Sequence, residues 1–328
     1  MICAFANAWN RFFFTPQRAT VLGLYRVVFA AIVLLDLFLL RPDWLTWFGA
    51  DGLLTMGSLP GRAAKLNLFA LWHQNAAISG LFWVFVVFAC CLLVGFMSRF
   101  SSVMVFVALL SMHKRNPMIL SGGDTLLRLD AFFLMFAPTG AAFSVDRLIQ
   151  RYRRGQWQEP RLVLPWAQRM IQIQTTLVYL STFYWKLLGH TWIDGTALYY
   201  VLHLTEFRQF AVPGADNATV IRMMTWSTLA IEFALGTVVW IRRVRYWVLL
   251  AGVCLHAGIE YALNIPLFSL TITATYLNFV EVEDLEAVVG RIWGGGKVLQ
   301  EEREQLRKAD CQSAAGCQPA PHADGAAR

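Results

Sequence analysis

The chain has 328 residues, of which 57% are hydrophobic and 15% charged, with a formal net charge of +7. Soluble domains hold roughly 25% charged residues, so a water-facing surface cannot cover most of this sequence, and a membrane protein is the class it fits. The basic excess calls for no nucleic acid, because Lys and Arg fall mostly in short segments between apolar runs, where membrane topology accounts for them. The first apolar run, Val21 to Leu40, is long enough to remain in the bilayer as an anchor. Arg11, Phe14, Pro16 and Arg18 precede it, unlike the pattern of a cleaved signal.

Further runs follow at Ala76 to Met97, Ser101 to Met112, Leu126 to Phe143, Trp166 to Leu188, Val220 to Ile241, Val244 to Leu263 and Leu267 to Val280. The third is short for a crossing, so it is expected to continue through His113 to Leu120 with a break at Pro117. Such a break survives at membrane depth only where protein or water satisfies the freed backbone groups. The predicted fold is therefore all-α: a polytopic transmembrane helical bundle of about eight spans, both termini cytoplasmic. Charge bias agrees. Arg11, Arg18, Arg99, Arg147, Arg151, Arg153, Arg154, Arg161, Arg242, Arg243 and Arg245 fall on the inner side of that arrangement, and Arg41, Arg62, Lys65, Lys114, Arg115 and Arg208 on the outer.

The expected organisation is an N-terminal cytoplasmic segment (1–20), a transmembrane domain (21–281), and a cytoplasmic helix with a disordered tail (282–328). The first outer loop, from Arg41 to Asn75, carries Trp44, Trp47, Phe48, Leu66, Leu68, Phe69 and Trp72 with few charges. It reads as a helix lying in the interface and capping the bundle. The six cysteines make no even framework, and the spacing of Cys311 and Cys317 is too loose for zinc.

An ionisable side chain at mid-membrane costs roughly 2.5 to 3.5 kcal/mol on insertion scales, so each one asks for a partner, a cavity or a function. The fifth span places Gln168, Gln172, Thr175, Tyr179, Thr182 and Lys186 along one helical face. These are either interhelical hydrogen-bonding groups or, for Lys186, an amine that reaches a cavity, pairs with a carboxylate, or acts as a base once desolvated. His190 and Asp194 can pair if the helix continues, although Gly189 and Gly195 favour a turn. In the seventh span His256, Glu260 and Asn264 share a face: a proton-transfer pair, a structural pair, or two metal ligands lacking a second His pair elsewhere. In the third-to-fourth hairpin, Asp124 and Arg128 are one turn apart and can form an ion pair, and Gly122 and Gly123 admit close approach of a ligand or a neighbouring helix. Arg26 and Glu232 are expected to pair, and Asp36 is a further charge inside the first span. Lys186, His190, Glu260, Asp124 and His113 all fall towards the outer face, which predicts a polar cavity open there.

The segments Arg115-Asn116-Pro117 with Gly122-Gly123-Asp124, Tyr184-Trp185-Lys186-Leu187 with Trp192 and Asp194-Gly195-Thr196-Ala197, and Leu255-His256-Ala257-Gly258-Ile259 resemble the HTTM (horizontally transferred transmembrane) domain family over roughly Arg18 to Val280. Vitamin K-dependent gamma-carboxylase is its characterised relative, and sporulation-delaying protein B-like maturation proteins resemble it too. The resemblance implies a helical bundle with a chamber facing the lumen or periplasm, a lysine base acting on a reduced quinone, and location in the bacterial inner membrane. Lys186 matches the lysine segment and His256 the seventh-span histidine. There are departures. The carboxylase has adjacent lysines where this chain has Trp185-Lys186, and spacing to Trp192 sets Lys186 opposite the first of them, not the catalytic second. Its Asn-Asn-His-Ser stretch corresponds to Ser121-Gly122-Gly123-Asp124, without the histidine. The site expected from residues and resemblance together has Lys186, His256 and Glu260 as catalytic groups. Asp124, Arg128, Tyr179, Gln172 and His190 contact the substrate, with no metal and with a quinone-like lipid or a peptide as ligand. The alternative is a non-catalytic membrane factor in maturation or export of a secreted peptide.

Overall fold

The computed structural model describes residues 2–55, 67–72, 74–154 and 161–292. Arg62, Lys65 and Leu66 of the first outer loop, and the tail with Lys308, Cys311 and Cys317, lie outside the described residues.

The fold is all-α. In chain order its helices are α1 (Ile2–Phe14), α2 (Thr20–Leu40), α3 (Trp44–Phe48), α4 (Asn75–Val94), α5 (Ser98–Arg115), α6 (Gly122–Phe136) and α7 (Val145–Arg154). Then come α8 (Trp166–Leu187), α9 (His190–Ile193), α10 (Ala197–His203), α11 (Ala218–Gly236), α12 (Arg245–Ala262), α13 (Phe268–Thr275) and α14 (Val282–Ile292). A short antiparallel pair, β1 (Gln17–Arg18) with β2 (Leu162–Val163), ties the start of α2 to the start of α8. Helices α2 and α4, with mean hydropathies of 2.2 and 2.6, are long and apolar enough to cross a membrane.

Residues 1–280 form one unit and residues 281–328 another, of which α14 is the described helix. Within the first unit, α2, α4, α5 and α6 pack in succession, α8 packs on α11 and α11 on α12. Helix α13 touches α2, α6, α8 and α12, and so joins the two halves.

Helix ends follow local chemistry. Helix α4 stops at Gly95 (φ 71), a left-handed residue at which the chain turns. The predicted break at Pro117 is a helix end at Arg115 followed by a 3-10 turn over Pro117–Ile119. Ser121 and Asp124 then form a reciprocal capping box that starts α6, with Asp124 Oδ2 accepting from the Ser121 N–H at 2.6 Å. The predicted fourth, sixth and eighth runs are shorter as α-helix than expected, each giving way to a 3-10 turn: Thr139–Ala141, Val238–Trp240 and Tyr276–Phe279.

The described residues of the segment from Arg41 to Asn75 pack onto the bundle. Trp44, Phe48 and Phe69 are buried: Phe48 stacks on Phe69, and Trp44 and Phe69 stand edge-on to Phe82 and Phe85 of α4 respectively. Arg115, counted above among the outer loop charges, is only 1% exposed. It donates to the carbonyls of Phe48 (3.2 Å) and Gly49, while Asn116 donates to Trp47 O at 3.2 Å. A cation on the last carbonyls of a helix offsets its unpaired C-terminal dipole, so this Arg-Asn pair clamps α3 onto the bundle.

Arg26 does not pair with Glu232. It is fully buried against Gly95 and donates to Phe143 O at 2.5 Å, beside Asp146. Asp146 accepts from Met97 N (2.8 Å), Ser98 N (2.7 Å) and Ser98 Oγ (2.7 Å), which binds the turn after α4 to the start of α7. Arg26, Arg115, Asp130, Gln168 and Gln172 are buried while the outward faces carry Trp83, Val87, Leu177, Trp185, Met223 and Trp247, each more than half exposed.

Candidate functional site

Helix α8 builds the site, because its polar stripe is buried from Gln168 to Tyr179 and continues through Thr182 to a part-buried Lys186. At the lower end, the Gln168 and Gln172 amides both donate to the Asn278 carbonyl, at 2.8 and 2.5 Å. Gln172 also accepts from Arg169 at 2.9 Å, so its polar atoms are occupied by the fold and do not meet the groups described next. Two turns further on, Tyr179 OH lies 2.7 Å from His256 Nε2 and 2.5 Å from Tyr276 OH. One more turn brings Thr182, which donates to Glu232 Oε2 at 3.4 Å, and Lys186, whose ammonium is ion-paired to Glu232 Oε1. The same ammonium stands 4.7 Å from the centre of the Trp192 ring, a cation–π contact.

Four elements therefore converge: α8 with Tyr179, Thr182 and Lys186, α11 with Glu232, α12 with His256, and the turn after α13 with Tyr276. Gly252 makes this approach feasible, since a Cβ there would stand 2.6 Å from Tyr276 OH. His256 is 3% exposed and its Nδ1 has no hydrogen-bond partner among the described residues. A buried polar atom left unmet costs about 1–3 kcal/mol.

A second cluster borders a cavity of about 260 Å³, lined in part by Asp36 of α2, His113 of α5, Ser121, Asp124 and Leu267. Asp36 and His113 are 7% and 5% exposed, and His113 Nδ1 is likewise unpartnered. Leu267 takes a left-handed backbone (φ 61) unusual for its type, and the residue after it, Phe268, is pressed against Gly123. A Cβ at Gly123 would come within 3.0 Å of Phe268 Cα. The Phe268 ring is centred 5.8 Å from the His256 ring.

The structure joins Lys186, Tyr179 and His256 in one neighbourhood and sets Asp124 in the other. Asp124 caps its own helix and, among the described residues, forms no ion pair with Arg128; both act electrostatically on His113 instead. Glu260 is exposed and makes no hydrogen bond to His256 among the described residues; Tyr179 is His256's partner. Asn264 lies past the end of α12 at Ala262, because Pro266 follows, so the four-residue register stops before it. His190 and Asp194 are both exposed on either end of the single turn α9.

Glu232, Tyr276 and Asp36 were not singled out for the site by the sequence. Glu232 and Asp36 carried a signal, as charges inside apolar helices, but their partners come from distant segments. Tyr276 carried none. Among the described residues no three His, Cys, Asp or Glu side chains come together to hold a metal ion.

A bundle of apolar helices enclosing a lysine, a histidine and buried carboxylates matches the HTTM domain over residues 14–283, and the chain belongs to that family. Its two long apolar helices are consistent with a membrane protein. The uncharacterized protein YitO of Bacillus subtilis (strain 168) is 23% identical over 262 residues, covering 76% of this chain and 81% of its own length. No solved structure matches.

Proposed function

We propose that this chain is a multi-pass inner-membrane protein of about eight spans, carrying an enzyme-like site that takes a quinone-like lipid, or a peptide, from the outer face. Support for the multi-pass reading comes from the distribution of side chains. Large apolar groups face outward on α4, α8, α11 and α12, while Arg26, Asp36, His113, Arg115, Glu232 and His256 are buried in the same bundle. Contiguous exposed apolar surface is unfavourable in water and natural in lipid.

The catalytic reading rests on one observation, the meeting of Lys186, Glu232, Tyr179, His256 and Tyr276 from four separate elements. In a medium of low permittivity the Lys186–Glu232 pair can pass a proton from ammonium to carboxylate, leaving a neutral amine beside a neutral acid. The amine then takes a proton from an acidic hydroxyl of the ligand and holds the resulting oxyanion as its counter-ion. Tyr179 fixes the His256 ring and leaves Nδ1 to contact the ligand. Asp36, His113 and Asp124 line the adjoining cavity as the binding part of the site. Glu232 takes the place that sequence spacing gave to Glu260.

The test is binding and oxygen-dependent turnover of a reduced naphthoquinone by purified full-length protein in lipid nanodiscs. Lys186→Ala should abolish turnover with unchanged membrane abundance. Lys186→Arg, which keeps the ion pair but holds its proton, should retain abundance and lose turnover. Loss of abundance in step with turnover for both variants sinks the catalytic reading. No quinone binding by the wild-type protein, together with retention of a co-expressed secreted peptide, would favour the non-catalytic maturation factor.

A further inference from the structure

Far from the cluster around Lys186, at the end of the bundle where α5 and α8 begin and α6 ends, lies a cleft of about 710 Å³. Its rim carries Arg99, Arg153 and Arg161, all exposed. None of the three guanidinium groups has a hydrogen-bond or ion-pair partner among the described residues. Exposed arginines commonly find carboxylates, and three unpaired ones around a single concavity repel one another unless an anion lies between them.

The one carboxylate in the wall does not neutralise them. Asp146 accepts three hydrogen bonds from Met97 and Ser98 and lies beside the buried Arg26, so its charge is already met within the fold. The opposite wall is apolar, formed by Phe136, Leu162 and Trp166, of which Phe136 and Leu162 are 45% and 62% exposed. A free anion has no use for that surface. An amphiphile does: its acyl part covers the apolar wall while its headgroup meets the cations.

We propose that this cleft binds the phosphodiester headgroup of an anionic phospholipid of the cytoplasmic leaflet, with the guanidinium groups on the phosphate and an acyl chain against Phe136 and Leu162. Planar guanidinium forks match phosphate oxygens two at a time, and basic pockets among membrane helices on the cytoplasmic side suit such headgroups. The proposal rests on the multi-pass reading but is independent of the catalytic one. Extraction of the protein from membranes by alkaline carbonate would break the former without any lipid measurement.

The experiment is native mass spectrometry of the purified full chain after delipidation, with phosphatidylglycerol, phosphatidylcholine or inorganic phosphate added back. Wild type should retain phosphatidylglycerol over phosphatidylcholine, and inorganic phosphate at millimolar level should not displace it. At about 1 kcal/mol for each cation near the headgroup, single Arg99→Gln, Arg153→Gln or Arg161→Gln variants should lose roughly fivefold in affinity and the triple variant about a hundredfold. The triple Arg→Lys variant should keep most of the binding as point charges. Raising salt on the wild-type protein gives the same readout without mutation, since retention should fall steeply. Equal retention of both lipids, retention by the triple Gln variant, or displacement by inorganic phosphate would each overturn the proposal.

Discussion

The two halves joined by α13 hold together by different means. Around α2, α4 and α5 the interior is mainly aromatic and aliphatic: Phe48 stacks on Phe69, Trp44 and Phe69 stand edge-on to Phe82 and Phe85, and Arg115 is clamped on Phe48 and Gly49, although Arg26 Nε and His113 Nδ1 are buried without a hydrogen-bond partner among the described residues. Around α8, α11 and α12 the interior runs through hydroxyls, an imidazole and an ion pair, from Tyr276 to Tyr179 and His256 and on to Glu232 and Lys186. Packing in the first half rests mainly on the fit of these rings, and in the second more on polar groups meeting one another.

Substitutions can break this contrast, and the largest effect belongs to the aromatic half. Phe85→Ala, at 2% exposure, should cost about 3–5 kcal/mol through the cavity it leaves, read as a fall in thermal stability in detergent. Its ligand binding per folded molecule should be unchanged; a selective loss of binding would show the halves are not separable. Glu232→Leu should come next. Removing one member of a buried pair costs about 3–5 kcal/mol, and with the Lys186 side chain 24% exposed a value nearer 2 is expected. The double variant Lys186→Met with Glu232→Leu should regain most of that stability and none of the turnover. Recovery of turnover would make the pair purely structural.

Gly252→Ala should cost about 1–3 kcal/mol, because the added methyl group meets Tyr276 OH and must push it from Tyr179. Second-site Tyr276→Phe should relieve the clash in a double-mutant cycle. The smallest effect is expected of Glu260→Gln, an exposed site, at under about 0.5 kcal/mol and with turnover intact. A large loss of turnover there would restore Glu260 to the site and displace Glu232 from it.

Sequence alone determined the class and most of the helices. Apolar runs such as Val21 to Leu40 and Trp166 to Leu188 reappear almost unchanged as α2 and α8, because helix length and hydropathy are local properties that the backbone satisfies within one segment. The buried polar face of α8 from Gln168 to Tyr179 was legible for the same reason: one residue in every three or four is a pattern read along one helix. Which groups meet across helices was not. Spacing within a helix paired His256 with Glu260, and charge sign paired Arg26 with Glu232, yet Tyr179 and Lys186 take His256 and Glu232 respectively. Such pairings depend on the rotation of each helix about its axis and on the depth at which neighbours cross. Those are set by close contacts such as Gly252 under Tyr276 and Gly123 under Phe268, which exist only once distant segments have packed.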